Sequence, residues 1–156
     1  MELSSIQHIE PDKLNQFEPD VFINTLGYES RAAHVARLLN EMDGKKIALS
    51  FSEMSKQHSY EENLKFFDRS GFDIHPVTSG VPDFGSLLAH HDREDVRIMI
   101  DCTSMPQLWY YELFRWFSEN LEVYSKACIR FVYTMAEYVE PGPPQKVRLL
   151  VDFTKS

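Results

Sequence analysis

The stretch DVRIMIDCTSMPQLWYYELFRWFSEN, residues 95–120, contains the two hydrophobic periods that decide the fold. Its beginning, residues 95–101, is a short apolar run that is typical of a buried strand. Residues 105–120 instead carry apolar side chains at helical spacing. Ser104, followed three residues later by Gln107, predicts a capping box at the start of that helix. The stretch therefore predicts a strand that leads directly into a helix.

The same strand–helix unit recurs toward the N-terminus, and a further strand follows it. These strands are predicted at residues 20–26, 46–51, 72–77 and 127–135, and the helices at residues 30–42, 60–70 and 83–90. Such alternation predicts right-handed crossovers and a mainly parallel sheet with helices on both faces. A last strand at residues 147–153 follows a link too short for a crossover helix, so it predicts an antiparallel edge pair at the C-terminus. The fold class is therefore α/β, a single Rossmann-like domain over residues 1–156 with about six strands.

Composition bounds the classes of function. The chain has 156 residues, of which 43% are hydrophobic and 26% charged, and these values are near the averages for a globular domain. Its 24 acidic residues outnumber the 16 basic ones and give a net charge of −8. That balance argues against binding of bulk nucleic acid, which depends on counterion release by basic residues. A small anion pocket remains compatible with it.

The cysteines and the first residues predict a cytoplasmic location. Two cysteines occur, Cys102 and Cys128, and both lie beside apolar segments rather than at the spacings of a disulfide framework. Residues 1–5 lack the positive start and apolar run of a signal peptide. No uncharged apolar stretch approaches the roughly 20 residues of a membrane span, so no membrane partner is expected.

The loop after the first strand is a candidate site, because ligands of open α/β sheets bind at the carboxyl ends of strands. It contains Gly27, Tyr28, Glu29, Ser30 and Arg31. Gly27 permits a tight turn or a close backbone approach, and Ser30 is a candidate N-cap of a helix whose amides would face an anion. Arg31 is unfavourable in a first helical turn. It therefore indicates either a phosphate or carboxylate ligand or a surface pair with Glu29.

The loop after the fourth strand is a second candidate site, and it should face the same edge of the sheet. Capping explains Ser104 and Gln107. It does not explain Asp101 and Thr103, which would form a polar floor for a pocket. The alternative is a well-capped helix with no ligand.

A third candidate follows the fifth strand. Tyr138 offers a ring that can stack on a base, and Glu137 offers a carboxylate for a ribose hydroxyl or an amide. The alternative role for Tyr138 is packing.

More specific catalytic motifs fail on spacing. Cys102 lacks the arginine six residues later that a phosphatase cradle needs, because Leu108 stands there. No glycine-rich dinucleotide fingerprint, P-loop or nucleophile elbow occurs. Neither a metal site nor a cofactor is predicted.

The helix at residues 105–120 has an excess of aromatic side chains. Six lie within nine residues, namely Trp109, Tyr110, Tyr111, Phe114, Trp116 and Phe117. One face of a sheet buries a narrower stripe than this. The excess predicts contact with a neighbouring helix, a second subunit or a partner protein, and a homodimer is the commonest of these solutions.

The two loops together resemble those of CRISPR-associated Rossmann-fold (CARF) domains and related nucleotide-sensing Rossmannoid domains, over residues 20–135. The resemblance rests on Leu-Gly-x-Glu-Ser-Arg after the first strand and Asp-x-Thr-Ser-x-Pro after a late one. By position, the ligand-binding residues that it implies are Gly27, Tyr28, Glu29, Arg31, Thr103, Ser104 and Gln107. Residues 104–107 replace a glycine-rich segment and its lysine. The family binds cyclic oligonucleotide messengers in prokaryotic antiviral defence, often across a dimer axis, and some small members cleave them.

Three functions are expected, in descending order. The first is binding of a nucleotide or cyclic oligonucleotide, as a sensor or accessory subunit in antiviral defence. The second is hydrolysis of a phosphodiester or glycosidic bond, with Glu29 or Asp101 as the acid or base. Thr103 or Ser104 would then orient a water molecule or a ribose hydroxyl. The third is a non-catalytic subunit that docks an effector protein through helix 105–120.

Overall fold

The structure is a computed structural model that describes residues 10–39, 41–51, 59–78, 80–88 and 95–136. A five-stranded sheet forms its centre, with the strand order β3-β2-β1-β4-β5. The strands are β1 (Val21–Leu26), β2 (Lys45–Phe51), β3 (Asp73–Val77), β4 (Arg97–Asp101) and β5 (Cys128–Val132). Every neighbouring pair is parallel. The predicted α/β fold with a parallel sheet is confirmed.

Five short α-helices accompany the described strands. They are α1 (Pro11–Leu14), α2 (His34–Leu38), α3 (Tyr60–Arg69), α4 (Phe84–Leu88) and α5 (Gln107–Glu119). The helix predicted over residues 30–42 is wrong in extent, because its first part, Ser30–Ala33, is a 3₁₀ turn. That turn is closed by the bond that the Ala32 N–H donates to the Glu29 carbonyl oxygen, 3.0 Å away.

Two apolar cores cover the two faces of the sheet. Because alternate side chains of a strand point to opposite faces, Ile23 and Ile100 pack against α4 and α5, whereas Phe22 and Met99 pack against α2 and α3. Burial on both faces explains why the strands are nearly continuous apolar runs. The prediction of helices on both faces is confirmed.

The strand order reverses between β1 and β4. From β1 the chain proceeds outward through β2 to β3 and then returns to the other side of β1 as β4. The connection after β1 enters α2 on one face, whereas the connection after β4 enters α5 on the other. A reversal of this kind leaves a crevice at the carboxyl ends of the two strands, where α/β proteins bind ligands.

Helix α5 is packed mainly within the chain. Trp109 and Phe117 are buried and Tyr110 packs against the same core. The ring of Phe114 stacks on Phe131 with centroids 4.7 Å apart. Exposed apolar surface on the helix lies at Tyr111, which is 62% exposed, and at Leu108, which is 53% exposed.

Two predictions lie outside the described residues, namely the strand at residues 147–153 with its antiparallel pairing, and the site residues Glu137 and Tyr138. Within the described ranges, no helix combines the length and the apolar character that crossing a membrane requires.

Candidate functional site

Asp101 ends β4 at the crevice and is 1% exposed. Its Oδ2 accepts a hydrogen bond from Asn24 Nδ2 on β1, 3.0 Å away. Its Oδ1 accepts bonds from the Thr103 N–H, 2.8 Å away, and from the Thr103 hydroxyl. Burial raises the pKa of Asp101 to about 6, although the Thr103 and Asn24 bonds and the charge of Arg31 act in the opposite direction. The group therefore exchanges its proton just below neutral pH.

Thr103 connects this carboxyl group to the last strand. Its hydroxyl donates to Asp101 and accepts a bond from the Thr134 N–H, 2.9 Å away. One buried network thus links the carboxyl ends of β1, β4 and β5. The prediction that Asp101 and Thr103 need an explanation beyond helix capping is consistent with this arrangement.

Arg31 spans the same three strand ends from above. Its Nε donates to Glu29 Oε2 at 2.6 Å. Its Nη1 donates to the Tyr133 hydroxyl at 3.0 Å and to the Thr134 carbonyl oxygen at 2.8 Å. These bonds, first that to Glu29 and then that to Tyr133, raise the pKa of Arg31. The surface pair with Glu29 is therefore present, and the guanidinium also reaches across β4 to the end of β5.

Part of this arginine cluster faces solvent. The side chain of Arg31 is 23% exposed and that of Glu29 is 41% exposed, while Tyr133 is 59% exposed. In the described part of the chain, the bonds of Arg31 use Nε and Nη1, and Nη2 makes none. The cluster thus presents N–H donors beside an aromatic ring whose hydroxyl group already accepts a bond from Arg31 Nη1.

The two predicted loops are in contact at Gly27. A Cβ atom at this position would lie 2.6 Å from Ser104 Cβ and 2.7 Å from Ser104 Oγ. Such distances leave no room for a side chain, so glycine is required here for the close approach that the sequence suggested. Buried Ser104 Oγ has no hydrogen-bond partner among the described residues.

Both predicted helix caps are wrong. The N-cap of α5 is Pro106, without a side-chain bond, so Ser104 and Gln107 form no capping box. Pro106 favours an extended conformation in the residue before it, and the helix therefore begins only at Gln107. Ser30 is the first residue of the 3₁₀ turn rather than a cap. Helix α2 has five residues, so it offers no N-terminal anion site.

The first loop is held in place by α3, through a residue that the sequence analysis missed. Asn63 Nδ2 donates to the carbonyl oxygens of Gly27, at 3.0 Å, and Glu29, at 2.9 Å. Tyr28 packs against the core on the α2 and α3 face, which is a structural role.

The structure brings together most of the predicted site. Gly27 and Glu29–Arg31 meet Asp101–Ser104 at the crevice, whereas Gln107 is exposed at the start of α5. Four contributors were missed, namely Asn24, Asn63, Tyr133 and Thr134. Asn24 could have been found as the amide within an otherwise apolar strand. The contributions of Tyr133 and Thr134 depend on β5 lying beside β4, which sequence does not reveal.

Neither a metal site nor a cysteine nucleophile is found in the described ranges. No three histidine, cysteine, aspartate or glutamate side chains among them are close enough to hold a metal ion. Burial, and then the charge of Asp101, raise the pKa of Cys102 to about 12. Its thiol is therefore protonated at neutral pH and is a poor nucleophile.

Fold and site together define a doubly wound α/β domain with a buried acid and an arginine cluster at its switch point. No protein-family model, curated protein or solved structure matches the chain. Its function is therefore inferred from the chemistry of the crevice and from the resemblance of its two loops.

Proposed function

We propose that this chain binds a nucleotide-like ligand at the carboxyl ends of β1, β4 and β5. The observation that carries the proposal is Arg31, whose guanidinium lies at the switch point with Nη2 donors left over from its bonds to Glu29, Tyr133 and Thr134. The resemblance to CARF domains supplies the ligand class, a cyclic oligonucleotide. It also supplies the role, a sensor or accessory subunit in prokaryotic antiviral defence.

A phosphate suits this guanidinium for two reasons. Arginine forms strong, directional bonds to phosphate oxygens. Its side chain is already held by three acceptors, so binding immobilises little additional side-chain freedom. Glu29 opposes an anion, because its carboxylate lies 2.6 Å from Arg31 Nε. A bound phosphate would therefore share or displace the Glu29 contact.

A base has a partner in the same cluster. The Tyr133 ring is 59% exposed, and the Arg31 guanidinium carbon lies 5.4 Å from its centroid. Stacking of a nucleobase on an exposed aromatic ring contributes about 1–3 kcal/mol per base. Tyr133 thus supplies the stacking role that the sequence analysis gave to Tyr138.

Isothermal titration calorimetry with a panel of nucleotides and cyclic oligonucleotides tests the proposal. Arg31→Ala should weaken binding by about 5- to 150-fold, as expected for the loss of a charge-assisted contact. Arg37→Ala is the matched control, since Arg37 is an exposed arginine whose ion-pair partner is Glu62 on α3. No binding by the wild type at millimolar ligand, or equal losses in the two variants, would overturn the proposal.

Hydrolysis of the ligand is the second candidate, favoured by the pKa of about 6 of Asp101. A general acid or base works best when its pKa is near the working pH. Glu29 is the more exposed carboxylate of the site. Product from a cyclic oligonucleotide should fall about 10²-fold or more in Glu29→Gln or Asp101→Asn, as measured by chromatography. Turnover that persists in the double variant would refute this assignment.

We further propose a homodimer through α5. Leu108 and Tyr111 are one helical turn apart, and they are 53% and 62% exposed. Sedimentation velocity should give a dimer for the wild type and a monomer for Leu108→Ser/Tyr111→Ser. Arg115→Ser, on the same helix, is the control and should stay dimeric. A wild type that is monomeric at high concentration would contradict the proposed dimer.

A further inference from the structure

A cavity of about 250 Å³ lies away from the switch point, between β2, β3 and α4. Its walls are apolar side chains from all three elements, including Leu49, Val77 and Leu87. Its polar groups come from His75 on β3 and from Asp83 and Ser86 at the start of α4. Strand β1 and part of β2 separate it from the Arg31 cluster, so it is a distinct site.

One wall of the cavity is fixed by tertiary contacts. The turn before α4 contains Gly80 at φ 70°, in the left-handed region that favours glycine. Its carbonyl oxygen accepts a bond from Trp109 Nε1 on α5 at 3.0 Å. The Trp109 ring in turn stacks on Phe51 with centroids 4.7 Å apart. The cavity is therefore held open by the fold, and a ligand need not order this wall on binding.

The charge of the cavity is negative. Asp83 accepts bonds from the Ser86 hydroxyl, at 2.7 Å, and the Ser86 N–H, at 3.1 Å. These bonds hold the pKa of Asp83 below its ordinary value, so its carboxylate is ionised at neutral pH. A carboxylate has about four acceptor positions, and some remain for a ligand. No lysine or arginine lines the cavity, and Lys45 is bonded at the opposite end of α4, to the Leu87 carbonyl oxygen.

His75 is oriented by an acid outside the cavity. Its Nε2 lies 2.8 Å from Asp73 Oδ2, on the same strand. The polar side of the cavity is thus supplied by acceptors and an imidazole, while the opposite side is hydrocarbon. This combination favours a ligand with an apolar ring and an edge of N–H donors.

We propose that this cavity is a second ligand site, which takes a small aromatic or heterocyclic amine or amidine. The ring would lie between the apolar walls, and its cationic N–H edge would bond to Asp83. The volume is below the ~300–1,000 Å³ of sites for drug-sized ligands, so one ring system fits rather than a whole nucleotide. The switch-point site is proposed to take an anion, so the two proposals stand or fall separately.

The test uses benzamidine as the cationic probe and benzoate as an anionic probe of the same shape, with the full chain followed by ¹H–¹⁵N NMR. Benzamidine at millimolar concentration should shift the amide signals of Val77, Val81 and Ser86. Benzoate should leave these signals unshifted. Arg31→Ala should leave the benzamidine affinity unchanged, which separates this site from the proposed function.

Two variants make the test specific. Asp83→Asn preserves the side-chain cap of α4, since asparagine caps helices well, but it removes the charge and should weaken benzamidine about fivefold. Asp68→Asn on α3 is the control with the same change in net charge. Val81→Phe should fill the cavity and abolish the shifts in a spectrum that is otherwise dispersed. Equal shifts with benzoate, no shift at these amides, or an unchanged affinity in Asp83→Asn would overturn the proposal.

Discussion

At the scale of single residues, Asp101 shows how burial changes the chemistry of a carboxyl group. Its side chain accepts three hydrogen bonds, from Asn24 and Thr103, and these favour the ionised form. Burial outweighs them and raises its pKa from 3.8 to about 6. The sequence marks Asp101 as an acid at the end of a strand, but its burial depends on the packing of three strand ends.

The raised pKa predicts how stability depends on pH. Between about pH 4 and pH 6 the folded chain keeps a proton on Asp101 that the unfolded chain has lost. The contribution is fully present below about pH 4 and is lost as the pH rises through 6, and its size is about 3 kcal/mol. Urea unfolding from pH 4 to 7.5 should therefore show a steeper fall in the wild type than in Asp101→Asn. Parallel curves would contradict the assignment.

Gly27 makes a steric prediction at the same scale. An alanine there would place its Cβ 2.6 Å from Ser104 Cβ, and overpacking of this kind costs about 1–3 kcal/mol. Gly27→Ala should lower the free energy of unfolding by that amount in urea titrations. Most of the loss should vanish in the Ser104→Gly background. An equal loss in both backgrounds would show that the contact is not its cause.

At the scale of elements, the strands could be predicted well and the helix ends poorly. The strands are buried on both faces, so their apolar runs mark them plainly. Capping was misjudged at Ser104 because the restriction that Pro106 places on the preceding residue outweighs a Ser-x-x-Gln pattern. The excess of aromatics on α5 was overread as a partner site, since Phe131 on β5 and Tyr124 after α5 cover Phe114 and Trp116.

The connection between β4 and β5 can be tested through Thr103. Thr103→Val removes the hydroxyl that donates to Asp101 and accepts from the Thr134 N–H. It should lower the free energy of unfolding by about 1–3 kcal/mol, because buried partners lose their bonds. It should also raise the pKa of Asp101 further, since the Thr103 bond lowers it. Thr103→Ser keeps the hydroxyl and should resemble the wild type; if Thr103→Val does so too, the network does not stabilise this edge.

At the scale of the whole molecule, the strand order decides which residues meet. The alternation of strands and helices predicts a parallel sheet, but it does not predict that β4 lies between β1 and β5. Only that order brings Arg31 and Tyr133, 102 residues apart, within 3.0 Å. With a net charge of −8, the chain repels anions at long range, so an anion site depends on such local groups.

The central claim, that Arg31 holds an anionic nucleotide-like ligand, is tested most directly by changing the two charges of its cluster in opposite senses. Affinity for cyclic oligonucleotides should fall in Arg31→Ala and rise in Glu29→Gln, because the second change removes the carboxylate that competes for the guanidinium. Each change should amount to about fivefold or more at low salt. Calorimetry that finds a tight ligand whose affinity is the same in the wild type, Arg31→Ala and Glu29→Gln would contradict the account.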